Sequence, residues 1–299
     1  MQSRLLILIS LISVLSITGL YAYAASLDVT ILSEVEDDGD KMLGNPMDAA
    51  VITIGDSTYV VVSSQEDGIE IIDISDPANP TSVGSLSDDN NKNGCDLNEV
   101  CLDHVKGVRT TTINDKTYAF ASGQYDDGVE IIDISDPANP TSVGRVVDTG
   151  ANDNVCTVAN GERCLGGVRQ IAVAEVESSN GEGAHYMITA GRSDNGIDVF
   201  DISDPTSPTH LVSITDDDPN CSTDGDGGCE LDGPSYIAPI TTIGTSTYVI
   251  VTGQDDDGIQ IIRLCENCET IETTVLTTST STSSSTCVRH VILGNCGTI

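Results

Sequence analysis

Tryptophan is missing from the 299-residue chain, and aromatic residues make up only 3% of it. That scarcity argues against a sugar-stacking lectin, whose sites rely on exposed aromatic faces. Basic residues are few: 12 Lys and Arg stand against 47 Asp and Glu, a formal net charge of −35. A field of that sign repels nucleic acid and anionic lipid, so neither is expected as a partner. A cofactor of nucleotide type is not expected either. His104, His185, His210 and His290 fall in unrelated contexts. No Gly-x-Ser-x-Gly elbow and no His-Glu-x-x-His occurs, so catalysis finds little support.

One apolar run stands out, Leu5 to Leu20, preceded by Arg4 and followed by Ala22-Tyr23-Ala24. It reads as a secretory signal spanning residues 1–24, which places the protein outside the cell, secreted or at the surface. The ten cysteines fall in close sequential pairs. With an export signal, local disulfides are expected: Cys95 with Cys101, Cys156 with Cys164, Cys221 with Cys229. Cys265, Cys268, Cys287 and Cys296 stand in the tail, residues 265–299, around the Ser/Thr tract Thr277 to Thr286. That tract has the composition of a flexible or glycosylated stalk.

Between signal and tail the chain repeats itself. EIIDISDPANPTSVG runs from Glu70 to Gly84 and recurs unchanged from Glu130 to Gly144. Four longer lines align, starting at Tyr59, Tyr118, Tyr186 and Tyr248, about sixty residues apart. Each begins with a β-branched strand and turns at Asp67-Gly68, Asp127-Gly128, Asn195-Gly196 or Asp257-Gly258. Such dipeptides tolerate the positive φ that tight hairpins need. The next strand is apolar on both faces, as at Ile71 and Ile72, so it lies between two layers. An Asp-Pro turn ends it, because proline lacks the amide donor. With a short strand after that turn and another before each Tyr, a unit holds four strands in meander order. Radial stacking of four such sheets over residues 25–264 predicts an all-β fold, a β-propeller. Leu27 to Val35 matches the strand after the Asp-Pro turn, so it is expected to complete the last unit and close the ring. Thr270 to Thr277 competes for the same slot.

The Ile-Ile-Asp-Ile-Ser-Asp-Pro-x-x-Pro sequence resembles the LVIVD repeat. That resemblance implies a propeller of the secreted and surface proteins of bacteria and archaea that carry it. The fourth copy departs from the pattern, with Arg263 for the Asp and Cys265-Glu266-Asn267-Cys268 for the turn.

In a meander blade the Asp-Gly hairpins share a face with the long blade-to-blade links. Those links are acidic and carry the cysteines. Asp89-x-Asn91-x-Asn93-Gly94, with Glu99 near the closing position, has the spaced oxygens calcium requires. Ser222-x-Asp224-x-Asp226-Gly227 is a second partial match, and Glu34-x-Glu36-x-Asp38-Gly39 a weaker third. Calcium is therefore the expected cofactor, and cations or cell-surface proteins the expected partners. A solvated acidic surface suited to high salt is the competing reading. Lys106 and Arg169 align at the start of inner strands, with Met47 and Ser235 in the other units. They are candidates for the channel mouth, binding an anion or pairing with the acidic loops. Asp73, Asp133 and Asp201 are expected to hold the turns that follow them. The leading function is a non-catalytic propeller that presents an acidic, disulfide-braced loop face. A secreted hydrolase or lactonase with a channel metal and a structural envelope component are the alternatives.

Overall fold

The computed structural model describes residues 30–39, 41–65, 68–88, 100–148, 163–177, 183–216, 229–243 and 246–264, with the backbone of 273–277 and 288–289. The chain divides into two compact units, residues 1–32 and 33–299, and every strand belongs to the second.

Four antiparallel sheets follow one another. Blade 1 is β1 (Pro46–Ile54), β2 (Ser57–Ser64), β3 (Gly68–Asp73) and β4 (Thr81–Ser87). Blade 2 is β5 (Val105–Ile113), β6 (Lys116–Gly123), β7 (Gly128–Asp133) and β8 (Thr141–Val147). Blade 3 is β9 (Val168–Glu177), β10 (Gly183–Gly191), β11 (Gly196–Asp201) and β12 (Thr209–Thr215). In each, neighbours in sequence are neighbours in the sheet. Blade 4 has a broken inner strand, β13 (Pro234–Ile237) and β14 (Thr241–Ile243), both paired with β15 (Ser246–Gly253). Pro239 sits in the break, where it has no amide to donate to the ladder. β16 (Gly258–Leu264), β17 (Thr273–Thr277) and the two-residue β18 (Val288–Arg289) follow. Among the described residues there is no helix. This is the β-propeller the repeats predict.

The hairpins form as their residue types dictate. Asp127, Asn195 and Asp257 have φ of 49°, 50° and 55°. Asn114 and Asp115, both with positive φ, close β5 onto β6 with two residues. Asp73, Asp133 and Asp201 each accept the amide of the second residue on, at 2.8, 3.0 and 2.9 Å from Ser75, Ser135 and Ser203. They brace the Asp-Pro turns.

Apolar residues fill the spaces between consecutive blades. Val61, Ile69 and Ile71 of blade 1 meet Val105, Val108 and Ile132 of blade 2. Tyr118, Phe120 and Ile131 then meet Leu165, Ile171 and Phe200. Tyr186, Ile188 and Val199 meet Leu231, Val249 and Ile262. The repeated Tyr packs in these interfaces, buried at Tyr118 and Tyr186 and half-buried at Tyr59. This layering explains why the third strand of a unit is apolar on both faces.

The repeated sentence has a packing reason as well. A Cβ at Gly84 would overlap the carbonyl oxygen of Pro137 in the next blade's turn, and one at Gly144 that of Pro205. The glycine of one copy and the Asp-Pro turn of the next are therefore two halves of a contact. In blade 3 the corresponding residue is Val212, paired with Val199 as Gly144 is with Ile131. Blade 4 has no Asp-Pro turn, so the glycine is not required.

The expectation for Leu27 to Val35 is corrected. The strand beside β16 is β17, paired from Ile259↔Leu276 to Ile261↔Thr274. Residues 30–35 are not strand, and Leu27 to Val29 lie outside the described residues. Ser33 nevertheless donates from Oγ to the carbonyl of Pro77 at 2.6 Å. That is the carbonyl equivalent to those met by Gly84 and Gly144 in the following blades.

Candidate functional site

The links between blades return to the hairpin face and are tied down there by buried acids. In the third strand, two residues past the hairpin glycine, stand Glu70, Glu130 and Asp198, all buried. Each accepts an amide from a link: Met42 at 2.9 Å, Cys101 at 3.0 Å, Cys164 at 2.6 Å. Each also accepts a hydroxyl of the fourth strand, from Ser82, Ser142 or Ser213. His210 completes the set around Asp198 at 2.9 Å. Burial pushes the Glu130 carboxyl up, against the pull of Ser142, Cys101 and Arg145.

A second tier lies in the hairpins themselves. Asp126, Asp194 and Asp256 accept the amides of Asp103, Gly166 and Asp232 in their own blade's link at 2.8, 2.7 and 2.6 Å. The next residue reaches across to the following blade. Asp127 accepts from Gly167 at 2.6 Å and Asn195 from Gly233 at 3.0 Å. The links before blades 3 and 4 are thus held from both sides. Asn45, His104, Gly167 and Gly233, the residues that turn each link into its inner strand, all have positive φ, between 50° and 61°. Glycine meets that demand best, and Asn and His are among the side chains that tolerate it. Packing carboxylates so closely has an electrostatic consequence. Asp126 is raised to about 7, first by burial, then by Asp88, Asp103 and Asp127. Asp194 is raised to about 6 by burial, then by Asp148, Asp127 and Asp198.

At the inner rim of the same face, each innermost strand carries one β-bulge. Pairing skips Met47, Lys106, Arg169 and Ser235. The extra residue lets Val105 and Val108 both face blade 1, and Val168 and Ile171 both face blade 2. Lys106 and Arg169, aligned in the sequence, are therefore brought together by a shared backbone device. Burial, then the charge of Arg169, lowers Lys106 from its ordinary value. Burial, then Arg192, lowers Arg169, with Asp255 opposing. Deeper along the inner strands, Arg109 bonds Asp48 of blade 1 at 2.6 Å and Gln170 of blade 3 at 3.1 Å. One guanidinium ties three blades.

Of the residues expected to hold calcium, Asp89, Asn91, Asn93, Glu99, Asp224 and Asp226 lie outside the described residues, as do Cys95, Cys156 and Cys221. In the weaker third match, Asp37 accepts the amide of Gly39 at 2.8 Å and Asp38 meets Lys41 at 2.5 Å. Among the described residues no group of three or more His, Cys, Asp or Glu is arranged to hold a metal ion. Cys101, Cys164 and Cys229 are buried at the points where the links rejoin the blades. The buried acids of β3, β7 and β11 were missed in the sequence, because one carboxylate in a strand reads as a solvated face. Their recurrence two residues after each hairpin glycine was the available signal. His104, stacked on Tyr125 at 4.2 Å and bonded to Gln65 at 2.6 Å, was equally silent.

The family model described as the LVIVD repeat matches residues 49–88, 118–148 and 191–216. No curated protein matches the chain. Similar solved structures include a Bacteroides ovatus xyloglucan-locus GH43B protein, at 15% identity, 75% of this chain, 39% of the other and a TM-score of 0.40. An exo-β-1,3-galactanase from Phanerochaete chrysosporium is 10% identical over 75% of this chain and 50% of its own, TM-score 0.44. A GH43 endo-arabinanase from Bacillus licheniformis is 14% identical over 80% and 72%, TM-score 0.42. The chain spans half or less of the first two. The LVIVD repeat is thus matched in three successive blades, each match covering the hairpin, the Ile-rich or Val-rich strand and the turn after it.

Proposed function

We propose that this protein is an exported, non-catalytic binding scaffold whose hairpin face presents acidic loops to calcium or to a cationic protein surface. One observation carries the reading. The described residues flanking the acidic insertions are fixed at that face by side-chain oxygens of the hairpins, Asp126 before blade 2, Asp194 and Asp127 before blade 3, and Asp256 and Asn195 before blade 4. Residues 89–99 and 217–228 leave from Asp88 and Asp216 and return at Val100 and Cys229. Cys229 donates its amide back to the Asp216 carbonyl at 2.9 Å. A rigid scaffold holding variable loops is where binding function usually resides. Pairing of Cys95 with Cys101, Cys156 with Cys164 and Cys221 with Cys229 would brace those loops. Support comes from Cys101, Cys164 and Cys229, each buried where a link rejoins its blade.

The test is a thermal melt at constant ionic strength with calcium against magnesium. A ligand at a hundredfold excess over its Kd stabilises the folded state by about 2.7 kcal/mol. Magnesium has the same charge but resists the irregular oxygen cages calcium accepts. Calcium should raise Tm more than magnesium. Asp224→Ala with Asp226→Ala should remove one part of the difference and Asp89→Ala another. Equal stabilisation by both ions, unchanged in the variants, would reduce the face to a solvated polyanion.

A further inference from the structure

In a chain this acidic, a cation without a carboxylate partner is an anomaly. Lys41, Arg109, Lys116, Arg145 and Arg192 each meet an Asp or Glu. Lys106 and Arg169 do not: among the described residues neither makes an ion pair or a side-chain hydrogen bond. The Arg169 Nε is buried without a partner. Both residues occupy the bulge of an innermost strand, on adjacent blades, at the axial end of the hairpin face.

Their backbones are locked at that spacing. A Cβ at Gly107 would come 2.9 Å from the Arg169 carbonyl, so glycine is what lets the two strands approach. Ser122 Oγ accepts the Gly107 amide at 2.9 Å and donates to the Arg169 carbonyl at 3.2 Å, joining one bulge to the next. Arg192 adds a third cation. It is held against Gln254 at 3.2 Å and Asp255 at 3.3 Å, across the interface with blade 4. Like charges gathered on a rigid frame destabilise one another until an anion arrives, and planar guanidinium donors suit an oxyanion in particular.

We propose that Lys106 and Arg169, with Arg192 beside them, form a binding site for a small soluble oxyanion, a carboxylate or phosphate group, at the mouth of the propeller channel. The remaining charge of the protein sets the size of the ligand. An extended polyanion would meet the surrounding acids, whereas a small one is screened from them beyond about 8 Å at physiological salt. Blade 1 has Met47 at the equivalent bulge and blade 4 has Ser235, so the site is confined to the side of blades 2 and 3.

Calorimetric titration of the full chain with inorganic phosphate and, separately, with succinate tests this. Ionic strength is held at about 0.15 M with chloride. Saturable binding of at least one, with Kd below about 1 mM, is expected. The tighter of the two identifies the ligand chemistry. Lys106→Met and Arg169→Met, which install the residue blade 1 already carries, should each weaken binding by about tenfold or more. Lys116→Met, at the opposite face, should not. Failure of both anions to bind, binding unchanged in both bulge variants, or an equal loss in Lys116→Met would overturn the assignment. Arg169→Lys, which keeps the charge, should retain part of the affinity and covers the case in which Arg169→Met does not fold.

Discussion

The hairpin acids make stability depend on pH in an unusual direction. Asp126 is 3% exposed, and its carboxyl is raised from 3.8 to about 7, chiefly by burial. In the unfolded chain it titrates near the ordinary value. Between those limits the folded protein binds a proton that the unfolded chain has released. Stability is therefore highest at the acidic end of this window, falls as pH rises through it, and levels off above about 7. A shift of that size corresponds to about 4 kcal/mol at most from this one group. Asp194, raised to about 6, adds a smaller contribution of the same sign. Asp126→Asn keeps an oxygen to accept the Asp103 amide and removes the titration. Urea unfolding at fixed salt, with a chelator present, gives the comparison. At pH 5 the variant should already be more stable than the wild type by about 1–2 kcal/mol, because the unfolded Asp126 is ionised there and the folded one is not. At pH 8 the margin should widen to about 3–4 kcal/mol. A variant that loses more stability at pH 8 than at pH 5 would show that the face needs the charged carboxylate, and that burial does not dominate its titration.

Two more outcomes are expected from the packing. Gly144→Ala, which drives a Cβ into the Pro205 carbonyl, should destabilise by about 1–3 kcal/mol, and Gly84→Ala against Pro137 by a similar amount; urea midpoints measure both, and neutral substitutions would refute the interlocking of glycine and turn. Peptide mapping without reduction should recover Cys95 joined to Cys101 and Cys221 joined to Cys229, each small ring contributing about 2–3 kcal/mol; bridges from one link to another would contradict local bracing.

The repeat made most of the fold legible. Strand, hairpin and turn types recur in the same order, so each unit checked the others, and the roles of Tyr118, Tyr186 and Asp73 followed from position alone. Lys106 and Arg169 could be aligned, because a bulge adds its residue at the same place in every blade. Arg192 could not be joined to them, since it follows a different strand and only the fold brings it near. Glu70, Glu130 and Asp198 were invisible as structural acids. Their partners are amides of links whose lengths vary, and no local pattern announces them. The slot beside β16 was ambiguous for a plain reason: Leu27 to Val35 and Thr270 to Thr277 both read as strand, and pairing partners are a tertiary choice.

Above all, the links into blades 2, 3 and 4 are part of the rigid body, held by side-chain oxygens of the blades, buried carboxylates among them in blades 2 and 3, rather than resting on it as ordinary loops. Amide hydrogen exchange of the native protein measures this directly. The amides of Cys101, Asp103, Cys164, Gly166, Gly167, Asp232 and Gly233, each donated to a side-chain oxygen, should exchange as slowly as those of the neighbouring strands β7 and β11. Exchange at the rate of exposed loop amides would mean that the carboxylates do not hold the face.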